Sequence, residues 1–167
     1  MKKAIVIDLE TTGVTENDEV LQISIIDEDG KILLNQYCRP ENKTEWPMAE
    51  KINGISFEMV KDKPTLKELL SVVENIINSS SLIIGYNVDF DLGFLKKVQT
   101  NIQWSNIITF DVMKAFAEIY KEPKRYGRGY KYQKLSKCAS YYKYKFKAHD
   151  SLEDCKATLH CYKKITE

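Results

Sequence analysis

At 167 residues with 43% hydrophobic content, the chain can bury one core without a staple, and this excludes disordered and small disulfide-framework classes. Cys38, Cys138, Cys155 and Cys161 form no CxxC pair and no cysteine–histidine group of zinc spacing, so they read as reduced, mostly buried thiols of a soluble cytoplasmic protein. The net charge of +1 conceals a division: residues 1–120 hold 12 Lys+Arg against 19 Asp+Glu, whereas residues 121–147 hold 10 against the single Glu122.

Met1 to Asp8 carries two lysines and only four apolar residues before its acid, too few for a signal peptide or a membrane span, so no membrane partner is expected. Ala4–Asp8 reads as a central strand covered on both faces. Val20–Ile26 and Lys31–Cys38 are strand-like and joined by Asp27-Glu28-Asp29-Gly30, a hairpin turn, so the first three strands form an antiparallel meander. That acidic turn lacks the remaining ligands of a calcium loop. A loop containing Trp46-Pro47 follows.

Leu66, Leu69, Leu70, Val73, Ile76 and Ile77 have helical spacing, and Thr65 with Glu68 supplies a capping box. Leu82–Gly85 reads as a short buried strand and Asp91–Val98 as a helix with Phe94, Leu95 and Val98 inward. Ile107–Phe110 reads as another strand, leading into a helix through Phe116 and Tyr120. After the basic loop Pro123–Gly129, Leu135, Ala139 and Tyr142 mark one helical face, and Leu152, Cys155, Leu159 and Tyr162 mark the last. With no repeat and no linker, the pattern is that of a single α/β domain over 1–167.

Three short clusters carry polar residues suited to chemistry. In Asp8-Leu9-Glu10-Thr11-Thr12-Gly13, the period of two along a strand puts Asp8 and Glu10 on one side and Leu9 on the other. In Asn87-Val88-Asp89-Phe90-Asp91, one of the aspartates can be a helix cap and nothing more, a reading that stands beside the chemical one. In the third, Asp150 and Glu153 have capping-box spacing, which leaves His149 on the loop before the helix and Asp154 one turn inside it. Read singly, each cluster is also compatible with a structural role. Together they are not, because two carboxylates about 4 Å apart repel by roughly 4 kcal/mol at an effective dielectric of about 20. Four gathered carboxylates imply cations.

In order and spacing, these clusters resemble the three motifs of the DEDDh 3′ to 5′ exonucleases, the group that includes epsilon-type proofreading subunits and ribonuclease T-like enzymes. The likeness extends through Ile52-Asn53-Gly54-Ile55-Ser56, the Pro64–Ile77 helix and Leu135–Tyr142. It implies a ribonuclease H-like fold, with a five-stranded mixed sheet flanked by helices. It also implies a site for two divalent cations, Mg²⁺ or Mn²⁺, held by Asp8, Glu10, Asp91 and Asp154, with His149 as general base and Asp89 a variable neighbour of Asp91. By the same resemblance Thr11 and Thr12 approach the terminal nucleotide, and Ile52, Asn53 and Phe90 pack against its base and sugar; Asn87 joins this substrate-binding set. Tyr86 and Asn53 stand where the family often has histidine, a departure that bears on substrate preference.

The implied substrate is nucleic acid with a 3′ end, single-stranded for choice, and the products are nucleoside 5′-monophosphates. The segment 121–147 interleaves its cations with Tyr126, Tyr130, Tyr132, Tyr141, Tyr142 and Tyr144, a mixture suited to phosphates and unstacked bases, though a solvated lysine face has the same composition. The alternatives are a non-catalytic nucleic-acid-binding module on this fold, which has no need of so repulsive a nest, and a proofreading partner of a polymerase or helicase. The close of the chain at Glu167, without a tethering tail, favours a stand-alone enzyme.

Overall fold

Residues 3–167 are described by a computed structural model. Short runs rich in Ile, Val and Leu build five strands: β1 (Lys3–Thr11), β2 (Val20–Asp27), β3 (Ile32–Tyr37), β4 (Ser80–Gly85) and β5 (Ile108–Asp111). They form one sheet of order β3-β2-β1-β4-β5, in which β1 and β2 and then β2 and β3 are antiparallel, while β1, β4 and β5 are parallel. The expected meander followed by parallel strands is therefore present. The turn between β2 and β3 is closed by the Asp27 carboxylate, whose Oδ1 accepts the N–H groups of Asp29 and Lys31.

Helices α3 (Leu66–Asn78) and α4 (Val88–Lys97) cover one face, where Val73, Ile77, Leu92 and Leu95 meet Ile5, Ile7 and Leu9. Helices α5 (Val112–Tyr120), α6 (Leu135–Tyr141) and α7 (Ser151–Thr166) cover the other, where Phe116, Ala139, Cys155 and Leu159 meet Val6, Ile26 and Ile84. Thr65 and Glu68 complete the capping box of α3 as read from sequence. All four cysteines are free and buried. Among the described residues, no helix is long and apolar enough to cross a membrane.

Several boundaries differ from the sequence reading. The stretch after Trp46, which reads as a loop, contains α1 (Pro47–Asn53) and α2 (Phe57–Val60). The signals are present: Pro47 stands at the first turn, and Gly54 ends the helix at φ 72°, a conformation that favours glycine. A small third core of Leu21, Trp46, Ile55 and Val60 holds this pair in place, with Trp46 Nε1–H donating to the Ile55 carbonyl at 2.6 Å. Helix α4 begins at Val88, three residues before the expected start, behind Asn87 at φ 66°, and neither Asp89 nor Asp91 caps it. At α7, Asp150 accepts the Glu153 N–H as expected, but the Glu153 carboxylate pairs with Lys156 at 2.7 Å instead of completing the box.

Candidate active site

The site starts where β1 outruns its neighbour. The β1–β4 ladder ends at Val6 and Ile84, so beyond that point the edge of β1 that faced β4 is open. On the opposite side, a β-bulge shifts the β1–β2 register between Glu10 and Thr11, the kind of kink that re-aims side chains near active sites. Asp8 and Glu10 alternate with buried Ile7 and Leu9 and so share the sheet face covered by α7.

The freed edge of β1 is taken up by Asp91. It lies in the first turn of α4, 3% exposed, and its Oδ1 accepts the Leu9 N–H at 3.1 Å. A residue that reads in sequence as a possible cap is thus aimed across to the acidic strand. Asn87 is held in turn by Asp111, whose Oδ1 accepts the N–H groups of Asn87, Met113 and Lys114. One carboxylate therefore caps α5 and fixes the entry to α4.

The third cluster arrives from α7. Asp154 lies in its first turn, and the backbone N–H of His149, which precedes the helix at φ 68°, donates to Asp154 Oδ1 at 3.2 Å. This bond folds the His149 loop back over the helix start. Glu10, His149 and Asp154 each offer a ligand atom, and these atoms lie within 4.8 Å of one another. Glu10 is 9% exposed, whereas His149 is exposed at the mouth of the site.

The electrostatics are those of a nest without compensation. Burial raises Asp8 well above the usual carboxylate range, and Asp91, Asp154 and Glu10 push it further. Burial and Asp154 push Glu10 up to about 8, against a hydrogen bond from the Asn53 side chain. Burial pushes Asp154 up to about 7, opposed by the His149 N–H. Asp91 is also raised well above its ordinary value, by burial first and by Glu10 and Asp111, although the Leu9 N–H opposes it. Among the described residues, no lysine or arginine is ion-paired with any of the four.

A cleft of about 390 Å³ opens beside Glu10, walled by Thr11, Thr12, Val14, Met48, Ile52, Asn53 and Phe90. Five of the six substrate-contact residues expected from sequence are therefore gathered in one wall. The sixth, Asn87, stands apart from it at the start of α4. The Thr11 and Thr12 hydroxyls are already engaged, the first donating to the Gly13 carbonyl and the second to Asp18 Oδ1. Asn53 braces the wall, its Nδ2 donating to the Thr11 carbonyl at 3.3 Å. Val14, Met48 and Ile52 are 81%, 72% and 60% exposed, an apolar rim of which sequence reasoning identifies only Ile52.

Residues 5–162 match the RNase T family model, described as exonuclease. The chain belongs to this exonuclease family. It is 33% identical over 165 residues to an uncharacterized exonuclease of Escherichia phage 186, a match covering 93% of this chain and 84% of the phage protein. It is 30% identical over 133 residues to the DNA polymerase III subunit epsilon of Haemophilus influenzae, covering 71% of this chain and 51% of epsilon, so it spans about half the length of that relative. Among solved structures it is similar to E. coli exonuclease I in complex with a dT13 oligonucleotide, with a TM-score of 0.80 and 19% identity over 99% of this chain and 41% of the other. The shared architecture is the ribonuclease H-like fold.

In this exonuclease, a polar ladder that sequence reasoning misses supports the acidic strand. Asp8 and Glu10 pair in register with Ser24 and Gln22 of β2, which pair in turn with Asn35 and Tyr37 of β3. Ser24 Oγ lies 2.6 Å from Ser151 Oγ and donates to Asn35 Oδ1, while Gln22 Oε1 accepts the Ser151 N–H at 3.2 Å. Gln22, Ser24 and Ser151 are buried, and polar residues on a fully buried strand are the signal that could reveal them.

The basic segment is divided by the structure. Tyr142 and Tyr144 pack beneath α7, Tyr144 stacking on His160 with ring centroids 4.6 Å apart, and Tyr141 lies edge-on to Phe116. The even interleaving of cations with free aromatic faces read from sequence is therefore limited mainly to Tyr126, Tyr132 and Tyr141, which stay 79%, 49% and 52% exposed, the last with one side against Phe116.

Proposed function

We propose that this exonuclease, taken as one domain over 1–167, removes nucleotides from the 3′ end of nucleic acid with two divalent cations, Mg²⁺ or Mn²⁺, and releases nucleoside 5′-monophosphates. The observation that carries this reading is the convergence of Asp8, Glu10, Asp91 and Asp154 from three distant segments, with their pKa values raised and no lysine or arginine paired to them among the described residues. An all-oxygen set of carboxylates fits hard cations, and a fold that gathers such a set needs positive charge to offset its repulsion. When bound, the cations would supply Lewis-acid polarisation of the phosphodiester and stabilise the attacking and leaving oxygens.

The chain's own residues do the rest. The apolar rim and Phe90 receive the terminal base and sugar, and Asn53 holds the wall through the Thr11 carbonyl. His149, exposed at the mouth and within 4.8 Å of the Glu10 and Asp154 ligand atoms, takes the proton of the attacking water. Its backbone bond to Asp154 keeps the ring near that position while leaving it free to turn. The resemblance in the three motifs supports the direction of attack.

With Mg²⁺ or Mn²⁺, the purified protein should shorten a 5′-labelled oligonucleotide stepwise from its 3′ end. Asp8→Ala and His149→Ala should each lower the rate by at least about 100-fold, the scale of a lost general base. Full activity in both variants would overturn the site, and shortening of a 3′-labelled strand from its 5′ end would overturn the polarity.

A further inference from the structure

The segment after α5 is a built hairpin. Pro123 bridges Tyr130, the Lys124 N–H donates to the Gly129 carbonyl at 3.2 Å, and the Lys131 N–H donates to the Glu122 carbonyl at 2.8 Å. Its charge is largely uncompensated. Lys131 is ion-paired with Glu122 at 3.0 Å, but Lys124, Arg125 and Arg128 are exposed and form no ion pair among the described residues. Two cations face rings: Lys124 Nζ lies 5.5 Å from the Tyr132 centroid and Arg125 Cζ lies 5.5 Å from that of Tyr126. The hairpin borders a groove of about 640 Å³ whose wall includes Tyr132, Lys134 and Lys137.

One hydrogen bond ties this groove to the entry of α4, the helix that carries Asp91. The Tyr86 hydroxyl donates to the Gln133 carbonyl at 2.8 Å, and Tyr86 directly precedes Asn87 at the start of α4. Tyr120 lies in the groove wall at the far end of α5, whose nine residues span roughly 14 Å at 1.5 Å per residue. That is the reach of a few nucleotides, at roughly 3.4 Å for each stacked nucleotide and more for an unstacked one.

We infer that the Pro123–Tyr130 hairpin and Lys134 form a second binding surface, outside the cleft, that grips the phosphates of a single strand a few nucleotides upstream of the end being cut. This grip rests on the exonuclease reading of the cleft, since the polymer held there must leave along some surface. Cations beside exposed ring faces suit phosphates and unstacked bases together, whereas an acidic protein partner would leave the rings without a role.

The test uses the full chain with Lys124→Gln, Arg125→Gln, Arg128→Gln and Lys134→Gln combined, four exposed changes outside the cleft. Binding of a fluorescent 20-nucleotide single strand with a phosphorothioate 3′ end is followed by anisotropy in chelator across a salt series, so no catalysis is required. The variant should bind at least about tenfold more weakly at low salt. Its slope of log K against log salt should also be shallower by roughly 2 to 3, at about 0.7 for each phosphate that is no longer neutralised. The rate of cleavage of a dinucleotide, too short to reach the hairpin, should be unchanged. An unchanged salt slope would overturn the grip, as would an equal loss on dinucleotide and 20-mer. A larger loss on duplex than on single strand would overturn the single-strand assignment. If the parent protein cuts neither substrate, the exonuclease reading fails, and the salt slope still decides the grip.

Discussion

Gln22 and Ser151, 129 positions apart, are joined by a hydrogen bond of 3.2 Å from the Ser151 N–H to Gln22 Oε1. Ser151 opens the helix that carries Asp154, so a buried amide on β2 sets where that carboxylate and the His149 loop meet Asp8 and Glu10. Gln22→Ala leaves the Ser151 N–H buried without this acceptor. It should cost about 2 kcal/mol of stability and lower kcat roughly 10- to 100-fold through misplacement of α7. Urea unfolding and steady-state kinetics check both; a stable variant with parental kcat would show that the ladder is only packing.

Metal addition should change stability in a pH-dependent way. In the metal-free protein, Glu10 titrates near 8 against an ordinary 4.5, and Asp154 near 7 against 3.8. Both are raised acids, so the folded state binds more protons than the unfolded state across this interval. Their contribution to stability is complete below the ordinary values and is lost as pH rises through the folded ones. With chelator present, Tm should fall between pH 5 and pH 8. Mn²⁺ should restore it, and more at pH 8 than at pH 5. A Mn²⁺ response of equal size at both pH values would contradict the nest.

The turn beside the acidic strand should be sensitive to acid. Burial of Asp18 would raise its pKa, but the Lys43 ammonium, the Thr15 hydroxyl and N–H, and the Thr12 hydroxyl together pull it well below the ordinary 3.8. The stabilisation is therefore complete above that value and is lost as pH falls below it. Asp18→Asn should weaken folding by about 2 kcal/mol at pH 7, with the difference from the parent narrowing towards pH 2. Gly13 belongs to the same turn: a Cβ there would lie 2.6 Å from Asp18 Oδ2. Gly13→Ala should cost about 1–3 kcal/mol, measured by chemical denaturation.

Asp111 offers a separate check on how α4 is positioned. Asp111→Ala removes the acceptor shared by Asn87, Met113 and Lys114, and should cost about 2 kcal/mol through the lost cap and the freed Asn87 N–H. Asp111→Asn keeps an oxygen that can accept the same groups and should recover most of that loss. Thermal unfolding of the pair decides, and equal damage from both would show that charge, rather than hydrogen bonding, holds the turn.

What sequence alone determined lies in local patterns. The period of two put Asp8 and Glu10 on one face, Thr65 with Glu68 started α3, and the order of three motifs supplied a family resemblance that residues 5–162 bear out. Local patterns misread Asp91 as a possible cap, because its true partner, the Leu9 N–H, is 82 positions away and is exposed only by the early end of the β1–β4 ladder. They also missed Gln22 and Ser24, since an isolated polar residue in an apolar strand acquires meaning only from the helix packed over it. Tertiary structure decided which tyrosines of the basic segment lie in the core and which face solvent. Burial depends on distant surfaces brought together by folding, and no local spacing encodes them.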